Sequence, residues 1–174
     1  MVEYVKVPKK RVKAIKDAQE SIEKKLKVKL SFEDNNIRID PGEEGDLYTA
    51  TLYVQAMGRG FSPKEADLLL NPDYSLTVID LQDHFNTKNR IHVMKGRIIG
   101  RKGSMKLELE RATDSKISVY GNTVAIIAPF YGLPKLREAL NMLLGGAKHS
   151  TVFNYLSKAR QMINRDKLAG FKRL

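Results

Sequence analysis

The chain has 174 residues, 42% of them apolar, which suits one domain or two small ones and excludes wholesale disorder. No apolar run approaches the ~18 residues of a membrane span, and the lack of cysteine excludes a disulfide framework or a cysteine-held metal or iron–sulfur cluster. Lys and Arg number 31 against 20 Asp and Glu, and the +11 balance points to an anionic partner.

The charge is unevenly placed. Residues 88–174 carry 18 basic against 5 acidic side chains, whereas residues 1–87 carry 13 against 15. Inside that first half, residues 1–29 are basic and residues 30–87 hold 3 basic against 11 acidic side chains. A uniformly solvated, charge-rich surface would not segregate in this way. The asymmetry implies one unit with a basic face and another with a different task. Without a signal-peptide h-region at the N-terminus, the expected location is cytoplasmic.

In chain order, Glu3 to Val7 alternates as a short strand stopped by Pro8. Val12, Ile15, Ala18, Ile22 and Leu26 fall at helical spacing across residues 10–27. Val28, Leu30 and Phe32 alternate, Asn35-Asn36 turns, and Ile37 and Ile39 alternate back. Leu47 to Met57 reads as a helix closed by Gly58 and Gly60. Ser62 then caps a short helix through Leu70, with Pro63 at its first position. Asn71-Pro72-Asp73 is the expected domain boundary.

The order then repeats. Tyr74 to Leu81 is strand-like; Ile91, Met94 and Ile98 take helical spacing, as do Met105, Leu109 and Ala112 after an interruption. Ile117 and Val119 alternate, Gly121-Asn122 turns, and Val124 and Ile126 alternate back. Leu133 to Leu144 is an amphipathic helix, and a last helix is expected over roughly residues 152–164. The expectation is an α+β fold of two repeated units, residues 1–73 and 74–174, each β-α-α-β-β-α, packed together for joint burial, with a helix added at the C-terminus.

The interruption is the informative segment: Gly96-Arg97-Ile98-Ile99-Gly100-Arg101-Lys102-Gly103. Two glycines three apart let the backbone turn tightly between helices. The helix starting near Ser104 then presents unpaired N–H groups and the positive end of its dipole. Arg101 and Lys102 at the tip complete a phosphate clamp, with Ile98 and Ile99 as apolar surface for bases. A Walker A loop fails on spacing, because its second glycine must be followed directly by Lys and Ser or Thr.

A G-x-x-G within Ile-Ile-Gly-x-x-Gly, between helices and before a hairpin and a helix, resembles a KH domain of the eukaryotic type (type I) over residues 74–145. The resemblance implies single-stranded nucleic acid held along the loop. Its site would comprise Gly100, Arg101, Lys102 and Gly103, with Arg97 and Lys106 alongside; Ile98, Ile99, Ile117 and Val119 would line the base groove or pack just beneath it. The first half resembles a KH domain without its clamp: at the expected place the chain reads Ile15-Lys16-Asp17-Ala18, one residue short and without glycine. That unit is expected to act as a scaffold or to bind protein.

A clampless KH followed by an intact one, with Gly-Arg-Gly-Phe-Ser-Pro (58–63) between them and Val-Ile-Asp-Leu (78–81) next, is similar to the archaeal pre-ribosomal KH factors known as the partner of the Nob-one endonuclease, or Dim-two. This resemblance implies binding near the 3′ end of small-subunit rRNA during maturation. The implied partners are the maturation endonuclease and a translation initiation factor. A different class, a targeting subunit of an RNA-processing enzyme such as a nuclease or exosome-like assembly, also fits a basic KH unit. No catalytic constellation is expected: His84, His92 and His149 lack metal-ligand spacing, Asp80 and Asp83 form no acid–base pair, and no cofactor or metal is implied. Tyr120, beside the Gly121-Asn122 turn, is the one aromatic placed to meet a base. Arg160, Arg165, Lys167, Lys172 and Arg173 would extend the basic surface or be merely solvated.

Overall fold

In the first unit, buried Val5 and Val7 alternate with exposed Tyr4 and Lys6, and this period-two pattern forms β1 (Glu3–Lys6). The computed structural model describes residues 1–171 and divides the chain into two units, Met1–Thr77 and Val78–Leu174. The helical spacing after β1 is carried by two helices, α1 (Lys9–Asp17) and α2 (Gln19–Leu26). They break at Ala18, whose N–H bonds back to the Ile15 carbonyl at 3.2 Å. The apolar period survives the break because Ile15, Ile22 and Leu26 all remain buried. Strands β2 (Val28–Glu33) and β3 (Asn36–Pro41) follow, and the sheet order is β1-β3-β2 with both pairings antiparallel.

Register sets which side chains meet. Val5 lies opposite Ile37 and Leu30 opposite Ile39, so the apolar residues of all three strands share one face. Helix α3 (Leu47–Gly58) covers that face with Ala50, Tyr53, Val54 and Met57. It starts at Asp46, whose carboxylate accepts from the Thr49 N–H at 3.0 Å. Helix α4 (Pro63–Ala66) has the expected Ser62 cap, and Glu65 returns a bond to the Ser62 N–H at 2.9 Å to complete a capping box. The helix expected through Leu70 tightens instead into a 3₁₀ turn over Asp67–Leu70.

The second unit has β4 (Tyr74–Asp80), α5 (Lys88–Ile99), α6 (Ser104–Thr113), β5 (Lys116–Tyr120), β6 (Thr123–Pro129) and α7 (Leu133–Leu144). Its sheet order is β4-β6-β5, the same arrangement with the last strand in the middle. Asn71-Pro72-Asp73 forms an Asx turn, the Asp73 N–H bonding to Asn71 Oδ1 at 2.9 Å. The division between units falls just after it, inside β4.

Two expectations need correction. All seven residues of β6 are buried, not alternate ones, because both faces of this central strand are covered. The C-terminal helix α8 runs over His149–Phe171, well past the expected 164. Its apolar period ends at Ile163, but Lys167 pairs with Asp114 at the end of α6 and its ammonium lies 5.0 Å from the Tyr131 ring centre, so a polar tie continues the docking where hydrophobic spacing stops. Helix α8 packs on α6 and α7, and Val152 and Leu156 join a core with Ile98, Met105, Leu109, Ile117, Ile126 and Leu140.

Candidate nucleic-acid interface

Helix α5 is started by Thr87, whose hydroxyl accepts from the Arg90 N–H at 3.3 Å, and is ended by Gly100. Gly100 takes φ 74° and ψ 176°, and its N–H bonds to the Gly96 carbonyl at 2.8 Å. A Cβ at Gly100 would stand 2.7 Å from both the backbone N and the Cβ of Met105, which is fully buried, so only glycine fits. Arg101–Gly103 make one 3₁₀ turn, in which Lys102 (φ 54°) and Gly103 (φ 76°) are left-handed. Lys102 bears the strain of that conformation without being a glycine, as functional sites often do.

The turn does what its sequence requires. Arg101 and Lys102 are exposed, and among the described residues neither has an ion pair or side-chain hydrogen bond. No side chain caps α6, so its first-turn N–H groups and dipole face the same loop. Two free cations above an uncapped helix start are an arrangement chemically suited to an anion such as phosphate.

The apolar residues separate. Ile98 and Ile117 are each 1% exposed and belong to the core, beneath any groove floor. Val119 is half-buried, and Ile99, at 37% exposure, is the residue offering apolar surface beside the loop. Leu107 on α6 (45%) and Val93 on α5 (48%) are further exposed apolar side chains on the flanking helices. Both interrupt otherwise polar helix faces, and that interruption is the sequence signal that marks them. The Lys95 ammonium donates to the Gly121 carbonyl at 3.0 Å and ties the β5–β6 turn to α5.

Arg97 and Lys106 are occupied. Arg97 Nε donates to the Leu143 carbonyl at 3.1 Å and its Nη2 to the Ala147 carbonyl, while Lys106 pairs with Glu110 at 3.3 Å. Tyr120 is half-buried, and Arg160 and Arg165 are exposed on α8; Lys172 and Arg173 lie outside the described residues. The histidines do not converge, and among the described residues no group of side chains is arranged to hold a metal. No helix there is long and apolar enough to cross a membrane.

In the first unit α1 occupies Ile15 to Asp17 of the corresponding position, with Ile15 fully buried, and the chain breaks only at Ala18 before α2 begins. No glycine turn carrying two exposed cations stands there.

A family model for the second KH domain of PNO1, a eukaryotic-type (type I) KH domain, matches residues 75–161. A KH domain-containing protein of Methanocaldococcus jannaschii is 36% identical, the match spanning 99% of this chain and 80% of that protein. The chain belongs to the PNO1/Dim2 family of KH proteins. Another PNO1/Dim2 relative, the pre-rRNA-processing protein PNO1 of Chaetomium thermophilum, is 28% identical over 76% of this chain and 54% of its own length. The chain therefore spans about half of that eukaryotic protein. Among solved structures, the a/eIF2alpha–aDim2p–rRNA complex of Pyrococcus horikoshii contains a chain that superposes with a TM-score of 0.85 at 33% identity, covering 92% of this chain and 94% of that one. The PNO1/Dim2 fold is thus two α+β units of KH type with a C-terminal helix.

Proposed function

We propose that this PNO1/Dim2 protein is a single-stranded RNA-binding factor of small-subunit ribosome assembly that holds the 3′-end region of small-subunit rRNA during maturation. The observation carrying this reading is the turn Gly100–Gly103, with two unpaired cations over an uncapped helix start. A relative named for pre-rRNA processing and another solved with rRNA support it. The protein binds and positions the strand; cleavage is the work of a separate endonuclease. The first unit, which lacks the clamp and carries most of the acidic side chains of residues 30–87, serves protein partners, among them that endonuclease and a translation initiation factor of the kind crystallised with the archaeal relative.

Mechanistically, the N–H groups of Gly100 and Gly103 bond the Gly96 and Gly100 carbonyls and hold the turn, the space beside Gly103 lets phosphate oxygens come close, and Arg101 and Lys102 neutralise the charge. Ile99 supplies an apolar surface against which unpaired bases lie. A duplex is excluded because its base edges are already engaged. Replacing both cations, Arg101→Asp with Lys102→Asp, leaves the fold intact because both side chains point to solvent. It lowers affinity for a short single-stranded RNA of the 3′-terminal sequence by well over tenfold, and flattens the dependence on salt by about 0.7 for each phosphate no longer neutralised. Unchanged affinity in the folded double variant removes the turn from the mechanism. Equal competition by shuffled or duplex RNA removes the ribosomal assignment.

A further inference from the structure

The two units share a polar frame that neither needs RNA to explain. Arg97 Nε and Nη2 bond the carbonyls of Leu143 and Ala147 at the end of α7, 46 and 50 residues further on. In the first unit Arg11 Nε and Nη2 bond the carbonyls of Met57 and Phe61 at the end of α3, both at 2.9 Å and again 46 and 50 residues further on. The same planar fork thus closes the last turn of the third long helix in each unit, where backbone carbonyls lack helical partners and the dipole is negative.

A second pair of bonds matches as closely. Glu110 Oε1 accepts from the Ile117 N–H at 2.8 Å, and Glu23 Oε1 accepts from the Leu30 N–H at 2.8 Å, seven residues on in both. One helical turn earlier, Lys106 pairs with Glu110 and Gln19 donates to Glu23 at 2.9 Å. Four residues after each glutamate, Asp114 and Lys27 end their helices in the same left-handed conformation.

These anchors align the repeat without reference to the loop. Arg97 and Glu110 stand 13 residues apart, Arg11 and Glu23 12 apart. The first unit is therefore one residue shorter between these anchors, a stretch in which its two helices break at Ala18. The frame persists where the clamp has been lost, so its residues cannot owe their place to RNA.

We infer that Arg97 and Lys106, though basic and adjacent to the clamp, are positioning residues that do not contact phosphate: Arg97 ties the outgoing end of α5 to the end of α7, and Lys106 holds the Glu110 carboxylate that ties α6 to β5, so that the two helices flanking the turn are fixed. This rests on the reading of Gly100–Gly103 as an RNA clamp. It leaves Arg101 and Lys102 as the cations of that segment that reach the backbone. Lys106 is replaceable by the residue the first unit uses there, because an amide makes the same bond to the glutamate. Arg97 is not replaceable by lysine, because one ammonium does not reproduce a two-point planar fork.

The test uses the full chain and a fluorescein-labelled short single-stranded RNA of the small-subunit rRNA 3′-terminal sequence, titrated by anisotropy across a salt series. Lys106→Gln is expected to keep both affinity and salt slope; a fall in slope of about 0.7 shows that the lysine neutralises a phosphate and overturns the inference. Arg97→Lys keeps the charge and is expected to weaken binding by roughly tenfold, the scale seen when a metal ligand loses the partner that orients it. Retained affinity in Arg97→Lys also overturns it, since a direct bond to phosphate survives that change. Arg11→Lys removes the matched fork from the clampless unit and is expected to lower thermal stability while keeping RNA affinity; an equal loss of affinity there means that general destabilisation, not positioning, is being read. The Arg101→Asp, Lys102→Asp variant stands as reference. If it binds normally the clamp reading itself fails, whereas if it loses binding while Arg97→Lys does not, only the positioning role fails.

Discussion

Gly100 and Gly103 have the same sign of φ but different reasons to be glycine. At Gly100 a methyl group would press on the Met105 backbone, which is fixed in the core, while at Gly103 nothing lies within 4 Å of a built Cβ. Gly103→Ala should therefore cost only left-handed strain, about 1–2 kcal/mol. Gly100→Ala should cost that plus displacement of α6, and should lower the melting temperature distinctly further. Thermal melts of the two single variants measure this; equal melting temperatures would show that the start of α6 yields easily. At the same scale, burial sorts neighbours of identical chemistry. Ile98 and Ile99 are adjacent, yet one is core and the other half-open to solvent, because a helix turns by 100° per residue and only one of them faces the sheet.

Elements are held at their ends as much as by their apolar faces. Asp46 accepts from the Thr49 side chain and N–H at the start of α3, and these bonds hold its carboxyl below the usual range for aspartate. A folded value below the unfolded one means that the ionised cap contributes stability above the ordinary value of 3.8 and loses it as pH falls through the lower folded value. Asp46→Ala should cost about 1 kcal/mol at neutral pH, and the difference from the parent should shrink toward zero in acid. Urea melts at neutral and acid pH decide this, and a gap independent of pH would show that the cap acts through packing. The end of the chain obeys the same logic. Helix α8 outlasts its hydrophobic period because Lys167 meets Asp114, whose hydrogen bond raises the lysine above its ordinary range.

For the whole molecule, the basic excess and the Gly100–Gly103 turn with its two cations lie in the same half of the chain, whereas the other G-x-x-G, Gly42–Gly45, carries two glutamates. A fragment over residues 74–174 keeps β4 entire and should retain much of the RNA affinity with a steep salt dependence, while residues 1–73 should bind weakly. A fragment cut at the unit division, residues 78–174, loses the first half of β4 and should be less stable than the longer one. Filter binding and urea melts of the fragments check both points, and equal RNA affinity in the two halves would refute the division of labour.

What the sequence determined by itself was local: period-two and helical spacing, the capping residues Ser62 and Pro63, the glycines and cations of the turn, and the order of elements repeated in two halves. Each of these is legible because its cause lies within a few residues, in sterics, dipoles or a single helical turn. The tertiary structure alone decided which basic residues near the turn are available. Arg97 looks like part of a basic clamp until its fork is found on carbonyls 46 and 50 residues away, and Lys106 looks free until Glu110 is seen bridging it to β5. Long-range packing also buried both faces of β6 and extended α8 to reach Asp114. Charge and spacing reveal where a cation stands along the chain, but whether it meets water, phosphate or a distant carbonyl depends on which chain ends the fold brings beside it.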